Sequence, residues 1–123
     1  MYRFYSLFIF LVILPLSCFS QNDNAKALAF YTTGMEKYNA TNYEMAIADF
    51  TKAIEANSDF VEAYFQRGCA KHYSDHYKSA VEDFTIAIDL RPSSEVFYKQ
   101  RGSSKTMLKD YKGAIEDCDK AIE

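Results

Sequence analysis

Cys69, His72 and His76 are spaced three and four residues apart, which brings them near one face of a helix if a helix runs that far. Cysteine and histidine are ligands that zinc favours, and a closed structural site needs four. Asp75 is the available fourth ligand. Yet Asp75 and His76 fall in "SDH" (Ser74–His76), a polar break of the kind that stops one helix and caps the next. A Cys–His nucleophile pair lacks a visible oxyanion donor and a third group to orient the base. The chain has no glycine-rich phosphate loop, no paired carboxylates beside an apolar cleft and no nucleophile-elbow serine. The expectation is no enzymatic activity, no metal and no cofactor.

The elements around these residues repeat. "QRGCAK" at Gln66–Lys71 returns as "QRGSSK" at Gln100–Lys105, 34 positions on. Blocks of that length starting at Ala27, Val61 and Glu95 bring the same residue types into register. Gly34, Gly68 and Gly102 align, as do Tyr43, Tyr77 and Tyr111, and Ala46, Ala80 and Ala114. Asp49, Asp83 and Asp117 follow, then Phe50, Phe84 and Cys118, then Ala53, Ala87 and Ala121. Phe30, Tyr64 and Tyr98 open the blocks, and Lys37, Lys71 and Lys105 match as well. A period of this length marks a repeat architecture.

Inside a block the apolar spacing is helical. Tyr77, Ala80, Val81, Phe84, Ala87 and Ile88 form one wide stripe. "NSD" (Asn57–Asp59) and "RPSS" (Arg91–Ser94) separate the blocks. Thr41, three before Glu44, fits a capping box. Each block therefore reads as helix, tight turn, helix. A mid-helix glycine costs about 1 kcal/mol relative to alanine. Three of them in register argue for close approach of the facing helix, where Ala46, Ala80 and Ala114 lie and Phe50 or Phe84 fills the space beside them.

With these residues in place, the chain resembles the tetratricopeptide repeat family. That pattern runs aromatic, Gly, Ala, aromatic, Ala and a late Pro, and Tyr64, Gly68, Ala80, Phe84, Ala87 and Pro92 follow it. The first block has Ser58 in place of the proline, and the third has Cys118 in the aromatic slot. The leucine usual before the glycine is Thr33, Arg67 or Arg101, and the tyrosine usual three after it is lysine. The resemblance implies an all-α fold of stacked antiparallel helix hairpins, a right-handed superhelix of about three repeats. Repeats are expected at residues 27–60, 61–94 and, incomplete, 95–123, after a linker or helix start at 21–26.

The acidic and basic residues in this frame suggest a stacking device. Aspartate recurs in all three blocks and arginine in two. Offset pairing, Asp49 with Arg67 and Asp83 with Arg101, would bridge successive repeats and fix their register. Lys37, Lys71 and Lys105 read as stem-packed, solvated side chains.

In the family, the first helices of the hairpins line a concave groove. The resemblance places there Leu28, Tyr31, Met35, Tyr38 and Asn39, then Glu62, Phe65, Cys69, His72 and Tyr73. The third set is Val96, Lys99, Ser103, Thr106 and Met107. An extended or helical peptide with apolar anchors suits such a face. Some members clamp a C-terminal carboxylate with Lys, Asn and Arg. The corresponding positions here are Tyr31, Met35, Gln66, Val96 and Gln100, which argues against a clamp. The expected function is a protein-interaction scaffold taking a protein or peptide partner. The alternative is the interaction or sensing region of a larger envelope signalling or enzymatic protein.

Composition and the N-terminus add a location. The formal net charge is −3 and 25% of the residues are charged, so the basic footprint of a nucleic-acid binder is missing. Residues 1–20 carry one charge, Arg3, then an apolar run from Leu7 to Leu16 and small residues at Ser17, Cys18 and Ser20. This is the pattern of a secretory signal peptide, too short for the roughly 20 residues of a spanning helix. Cleavage after Ser20 would leave a mature chain beginning at Gln21, exported to the periplasm or secreted. A lipid anchor at Cys18, or an uncleaved membrane anchor, are the other readings. Cys69 and Cys118 are too few for a disulfide framework and read as unpaired.

Overall fold

The computed structural model describes residues 16–123, with side chains from Ser20 onward. Residues 1–15 of the segment read as a leader lie outside the described residues, and residues 16–20 begin the first helix. Six helices follow one another: α1 (Leu16–Asn39), α2 (Tyr43–Ala56), α3 (Val61–Tyr73), α4 (Tyr77–Leu90), α5 (Glu95–Met107) and α6 (Tyr111–Ala121). They form three antiparallel hairpins, α1/α2, α3/α4 and α5/α6, stacked in chain order. Residues 21–26, expected as a linker or helix start, are part of α1, which begins at Leu16. Among the described residues no helix is long and apolar enough to cross a membrane.

The turn inside each hairpin is one backbone device used three times. Thr41, Asp75 and Lys109, 34 positions apart, take left-handed φ values of 62°, 67° and 63°. The residue after each sends its N–H back to the carbonyl of Lys37, Lys71 or Lys105, at 2.9, 2.8 and 2.9 Å. The left-handed residue itself donates to Tyr38, His72 or Thr106. This six-to-one bond with a shorter one inside it is the Schellman termination. It satisfies carbonyls that a helix end leaves open. The expected capping box at Thr41 and Glu44 does not form. Thr41 is the left-handed residue, the N-cap of α2 is Asn42, and its side chain makes no cap bond.

Between hairpins the chain leaves the helix in extended or near-extended conformation at Asn57 and Arg91. Asn57 tethers the first junction: its Oδ1 accepts from the Asp59 N–H at 3.0 Å and its Nδ2 donates to Asn24 of α1 at 2.9 Å. The Tyr64 hydroxyl donates to the Ser58 carbonyl at 3.0 Å, anchoring the start of α3 to the same junction.

Small residues let the helices of a hairpin close. Ala46, Ala53, Ala80 and Ala87 have no exposed surface, and neither do Phe50 and Phe84. A Cβ on Gly34 would stand 2.7 Å from the Phe50 ring, and one on Gly68 would stand 2.7 Å from the Phe84 ring. The glycines are thus the seats of the phenylalanines. In the third hairpin Cys118 is exposed and fills no such seat; Gly102 instead approaches the Ala114 carbonyl, where a Cβ would lie 3.3 Å away. Among the described residues α1, α3 and α5 approach one another, whereas α2, α4 and α6 do not. The first helices of the hairpins therefore form the inner face of the stack.

Candidate interaction face

The inner face is held in register by charge. Arg67 grips Asp83 of its own hairpin, Nε to Oδ2 at 2.8 Å and Nη2 to Oδ1 at 2.7 Å. Arg101 repeats this on Asp117 at 2.9 and 2.6 Å. The offset pairing is thereby corrected: Asp49 does not meet Arg67, and Asp83 does not meet Arg101. The arginines do reach the preceding repeat, but through their third nitrogen and to a threonine. Arg67 Nη1 donates to Thr51 at 3.2 Å and Arg101 Nη1 to Thr85 at 3.1 Å. The planar guanidinium fork makes this division possible.

The lysines are corrected too. Lys37, Lys71 and Lys105 bind the buried aspartates, Asp49 at 2.5 Å, Asp83 at 2.8 Å and Asp117 at 3.0 Å. Aspartate and lysine both recur in all three blocks while arginine occurs in two. That matched count was the signal for this pairing. Burial favours a protonated carboxyl in Asp49 and Asp117. Hydrogen bonds from Lys37 to the first, and from Arg101 and Lys105 to the second, prevail and leave both pKa values lowered.

Aromatic side chains join the repeats. Tyr31 is half-buried between the Phe50 and Phe60 rings, at 5.7 and 5.0 Å. Phe65 is the wedge between the second and third hairpins, 5.8 Å from Phe84 and 4.8 Å from Phe97. Met35 and Tyr38 pack against the Ala46, Phe50 and Ala70 cluster. Tyr38 meets Tyr43 edge-on at 5.5 Å, and Tyr43 stacks on Tyr73 at 5.6 Å. Burial pushes the Tyr38 hydroxyl pKa up, with Cys69 and the two neighbouring tyrosines adding to it. Tyr43 was not among the expected face residues; its ring comes into the cluster only because the turn at Thr41 brings it back.

Cys69 is also a correction. It was expected on the open face, but it is 6% exposed and packed with Ala80, Phe84 and Tyr38. Burial pushes its thiol pKa up to about 12. His72 is half-buried and its Nδ1 lies 2.8 Å from the Ser104 hydroxyl in the next hairpin. Its ring stands edge-on to Tyr73 and Tyr77. His76 is in the turn, near the Ser74 hydroxyl at 3.0 Å and the Glu44 carboxylate at 3.7 Å. Among the described residues no group of three His, Cys, Asp or Glu is placed to hold a metal ion.

What remains open on the first helices is Leu28, Tyr73, Val96 and Met107, between 42 and 58% exposed, with Lys99, Ser103 and Thr106 beside them. Lys99 pairs with Glu95 at 2.9 Å, and the Thr106 hydroxyl donates to the Gly102 carbonyl at 3.0 Å.

A stack of antiparallel helix hairpins in a 34-residue frame, each closed on a buried carboxylate, is a helical repeat protein. The family model for the tetratricopeptide repeat matches residues 29–60 and 61–94, and the chain belongs to that family. No curated protein sequence matches it significantly. Among solved structures, it is similar to the second TPR of Spaghetti (RPAP3) bound to the HSP90 peptide SRMEEVD. The TM-score is 0.80 at 26% identity, covering 84% of this chain and 94% of that one. The Arabidopsis OM64 TPR domain gives a TM-score of 0.79 at 23% identity, over 81% and 83% of the two chains. A crystal structure of MamA gives 0.77 at 22%, over 79% of this chain and 57% of that one.

Proposed function

We propose that the chain is a protein-interaction scaffold whose inner face, formed by α1, α3 and α5, receives a peptide segment with apolar anchors. One observation carries this reading: among the described residues, Leu28, Val96, Tyr73 and Met107 stay open on helices whose other large apolar side chains are packed. Exposed apolar side chains gathered on one face of a rigid support suit recognition of a partner. The peptide-bound state of the RPAP3 repeat domain, 26% identical, supports the same use of the fold. Tyr31, Met35, Gln66, Val96 and Gln100 bring no cation to the positions of a carboxylate clamp. The guest is therefore an internal or apolar segment rather than an acidic C-terminus.

The test is selection of a displayed random-peptide library on the full chain, followed by affinity measurement with the selected peptides. A Leu28→Ser, Val96→Ser double variant should lose affinity by about tenfold or more, with unchanged helicity. The peptide SRMEEVD should bind neither form. Unchanged affinity of the double variant would remove the inner face from the reading, and tight binding of SRMEEVD would reinstate a clamp.

The leader pattern of residues 1–20 adds export to the proposal, with the mature chain starting at Gln21. The mass of the N-terminal peptide from cells tests it. A lipidated Cys18 would make the protein an anchored one instead, and an intact Met1 would set the leader aside.

A further inference from the structure

Aromatic rings gather at the turn end of the first two hairpins. Tyr43 stacks on Tyr73 of the next hairpin, with centroids 5.6 Å and planes 23° apart. Tyr38 stands edge-on to both, at 5.5 and 6.3 Å. His72 continues the row to Tyr77. Tyr73 is 55% exposed and leaves bare aromatic surface at the edge of the cluster. The Tyr64 and Tyr77 hydroxyls donate within the chain, to Ser58 and Asp75. Those of Tyr38 and Tyr43 bond to nothing among the described residues, yet no buried polar atom there lacks a partner, so both open to solvent.

A cleft of about 290 Å³ lies beside these rings, lined by Thr41, Asn42, Tyr43, Glu44, Met45 and Ser74. The Glu44 carboxylate is 72% exposed, and His76 Nδ1 stands 3.7 Å from it, too far for a hydrogen bond. That nitrogen lies nearer the Ser74 hydroxyl, at 3.0 Å. The other charges of this edge are engaged: Lys71 holds Asp83 at 2.8 Å, and Asp75 accepts from Tyr77 at 2.6 Å. The charge left to the cleft is therefore negative, next to an aromatic surface.

We infer that this edge takes an extended, proline-bearing segment of a partner chain with an arginine or lysine beside the prolines. A polyproline II segment has no internal hydrogen bonds and presents open carbonyls, which the tyrosine hydroxyls match as donors. Its pyrrolidine rings pack on aromatic faces, and it is already extended, so little chain entropy is lost on docking. The basic residue lays its stem on Met45 and sets its charge against Glu44, beside the Tyr43 ring. An aliphatic helix would leave the hydroxyls unmatched, and an acidic segment would meet Glu44. The inference rests on the scaffold reading above and deepens it, but it uses a different end of the face. Leu28 is ten positions before Tyr38, roughly 15 Å along α1.

The probes are synthetic peptides of equal length built on Pro-Pro-Arg, Pro-Pro-Glu and Gly-Ser-Arg repeats, added to the full chain. The Pro-Pro-Arg peptide should bind saturably, shift the amide NMR signals of Tyr43, Glu44 and Tyr73, and exceed the other two in affinity by about tenfold. Tyr73→Ser should weaken it by about tenfold. Glu44→Lys should turn the preference toward Pro-Pro-Glu; its exposed side chain makes this arm independent of any effect of Tyr73→Ser on folding. Binding of Gly-Ser-Arg as tight as Pro-Pro-Arg would show attraction by charge alone and overturn the inference. An affinity indifferent to Tyr73→Ser, or a preference for arginine that survives Glu44→Lys, also overturns it. The Leu28→Ser, Val96→Ser variant should bind the Pro-Pro-Arg peptide as the wild type does; a loss there would place the peptide at the other end of the face and overturn this site. No binding by a chain that still takes library-selected peptides overturns the proline reading and leaves the scaffold reading standing.

Discussion

Arg67 holds Asp83 with two hydrogen bonds, at 2.8 and 2.7 Å, across a single hairpin, while its remaining nitrogen reaches Thr51 of the hairpin before. The carboxylate is 3% exposed and Lys71 occupies its other side at 2.8 Å. Removing one partner of such a buried pair leaves an uncompensated charge, which costs about 3–5 kcal/mol. Asp83→Ala should therefore lower the unfolding free energy by about 3–5 kcal/mol, read as a strong drop in the urea midpoint. An Arg67→Met, Asp83→Leu pair should lose less than the sum of the single changes. Simple additivity would show that the two groups act independently.

The acidic stability limit is set by the corresponding aspartates of the first and third hairpins, Asp49 and Asp117. Asp49 and Asp117 have pKa values below the ordinary 3.8, because bonds from Lys37, Arg101 and Lys105 outweigh their burial. Between the folded and unfolded values the unfolded chain binds more protons, so stability rises with pH there. It is fully present above 3.8 and is lost as pH falls through the folded values. His72 acts in the same sense at higher pH. Burial lowers its pKa from 6.5, with Asp75 opposing in part, so stability falls as pH drops through 6.5 toward the folded value. Melting temperatures should decline in two stages on acidification. Asp117→Asn should flatten the lower stage and His72→Gln the upper one; a stage unmoved by its own variant would be wrongly assigned.

Thr41 is a β-branched residue held at φ 62°. An L-residue in this region costs about 1–2 kcal/mol, and branching at Cβ makes it worse. Glycine removes that penalty at the cost of a floppier unfolded chain. Thr41→Gly should be stabilising by about 0.5–1 kcal/mol, and Thr41→Asn should follow it in sign. Asp75 and Lys109 lack the branching, so the glycine gain there should be smaller. Guanidinium or urea unfolding of the three variants gives the order directly, and a destabilised Thr41→Gly would rule out strain at this turn.

The seat of the phenylalanine ring predicts an asymmetry among the glycines. Alanine in a helix is worth about 1 kcal/mol over glycine, yet a Cβ at Gly34 or Gly68 would press on a buried ring at 2.7 Å. Overpacking of this kind costs about 1–3 kcal/mol. Gly34→Ala and Gly68→Ala should be net destabilising. Gly102→Ala, facing contacts at 3.3 Å with no ring above it, should be milder. Equal effects at all three positions would mean that the rings are not the cause.

The repeat and its helices were legible because packing demands the same residue types at the same places: Gly34 under Phe50, Gly68 under Phe84, alanine at 46, 80 and 114. The ion pairs were not, because sequence separation is a poor guide to which aspartate an arginine meets. Asp83 lies 16 positions from Arg67 and Asp49 only two more. Hairpin closure decides between them, and it puts Asp83 in the fork and Thr51 at its edge. Cys69 was expected on the open face because the family frame places it on a first helix beside Phe65 and His72, in the position of Ser103 one repeat on. Exchange between repeats reflects instead what each position packs on: Phe84 beneath Cys69, and the exposed Cys118 in the matching place of the third hairpin. The cluster of Tyr38, Tyr43 and Tyr73 needed the left-handed turn at Thr41, which no tyrosine spacing announces.

The two cysteines should differ sharply in reactivity. The thiolate is the nucleophile toward alkylating reagents. Cys69 is 6% exposed with a pKa pushed up to about 12, so it is both shielded and protonated at neutral pH. Cys118 is exposed on α6. Iodoacetamide on the native protein at neutral pH should modify Cys118 and leave Cys69 intact, as read by peptide mass mapping, while unfolding in urea should equalise the two. The rate at Cys69 in native conditions then reports loosening of its cluster with Ala80, Phe84, Tyr38 and Phe65. Phe65→Ala removes the wedge against Phe84 and Phe97 and should raise that rate well before it changes the rate at Cys118. A native Cys69 that reacts as fast as Cys118 would mean that the cluster around Phe84 opens freely and that Phe65 does not hold it.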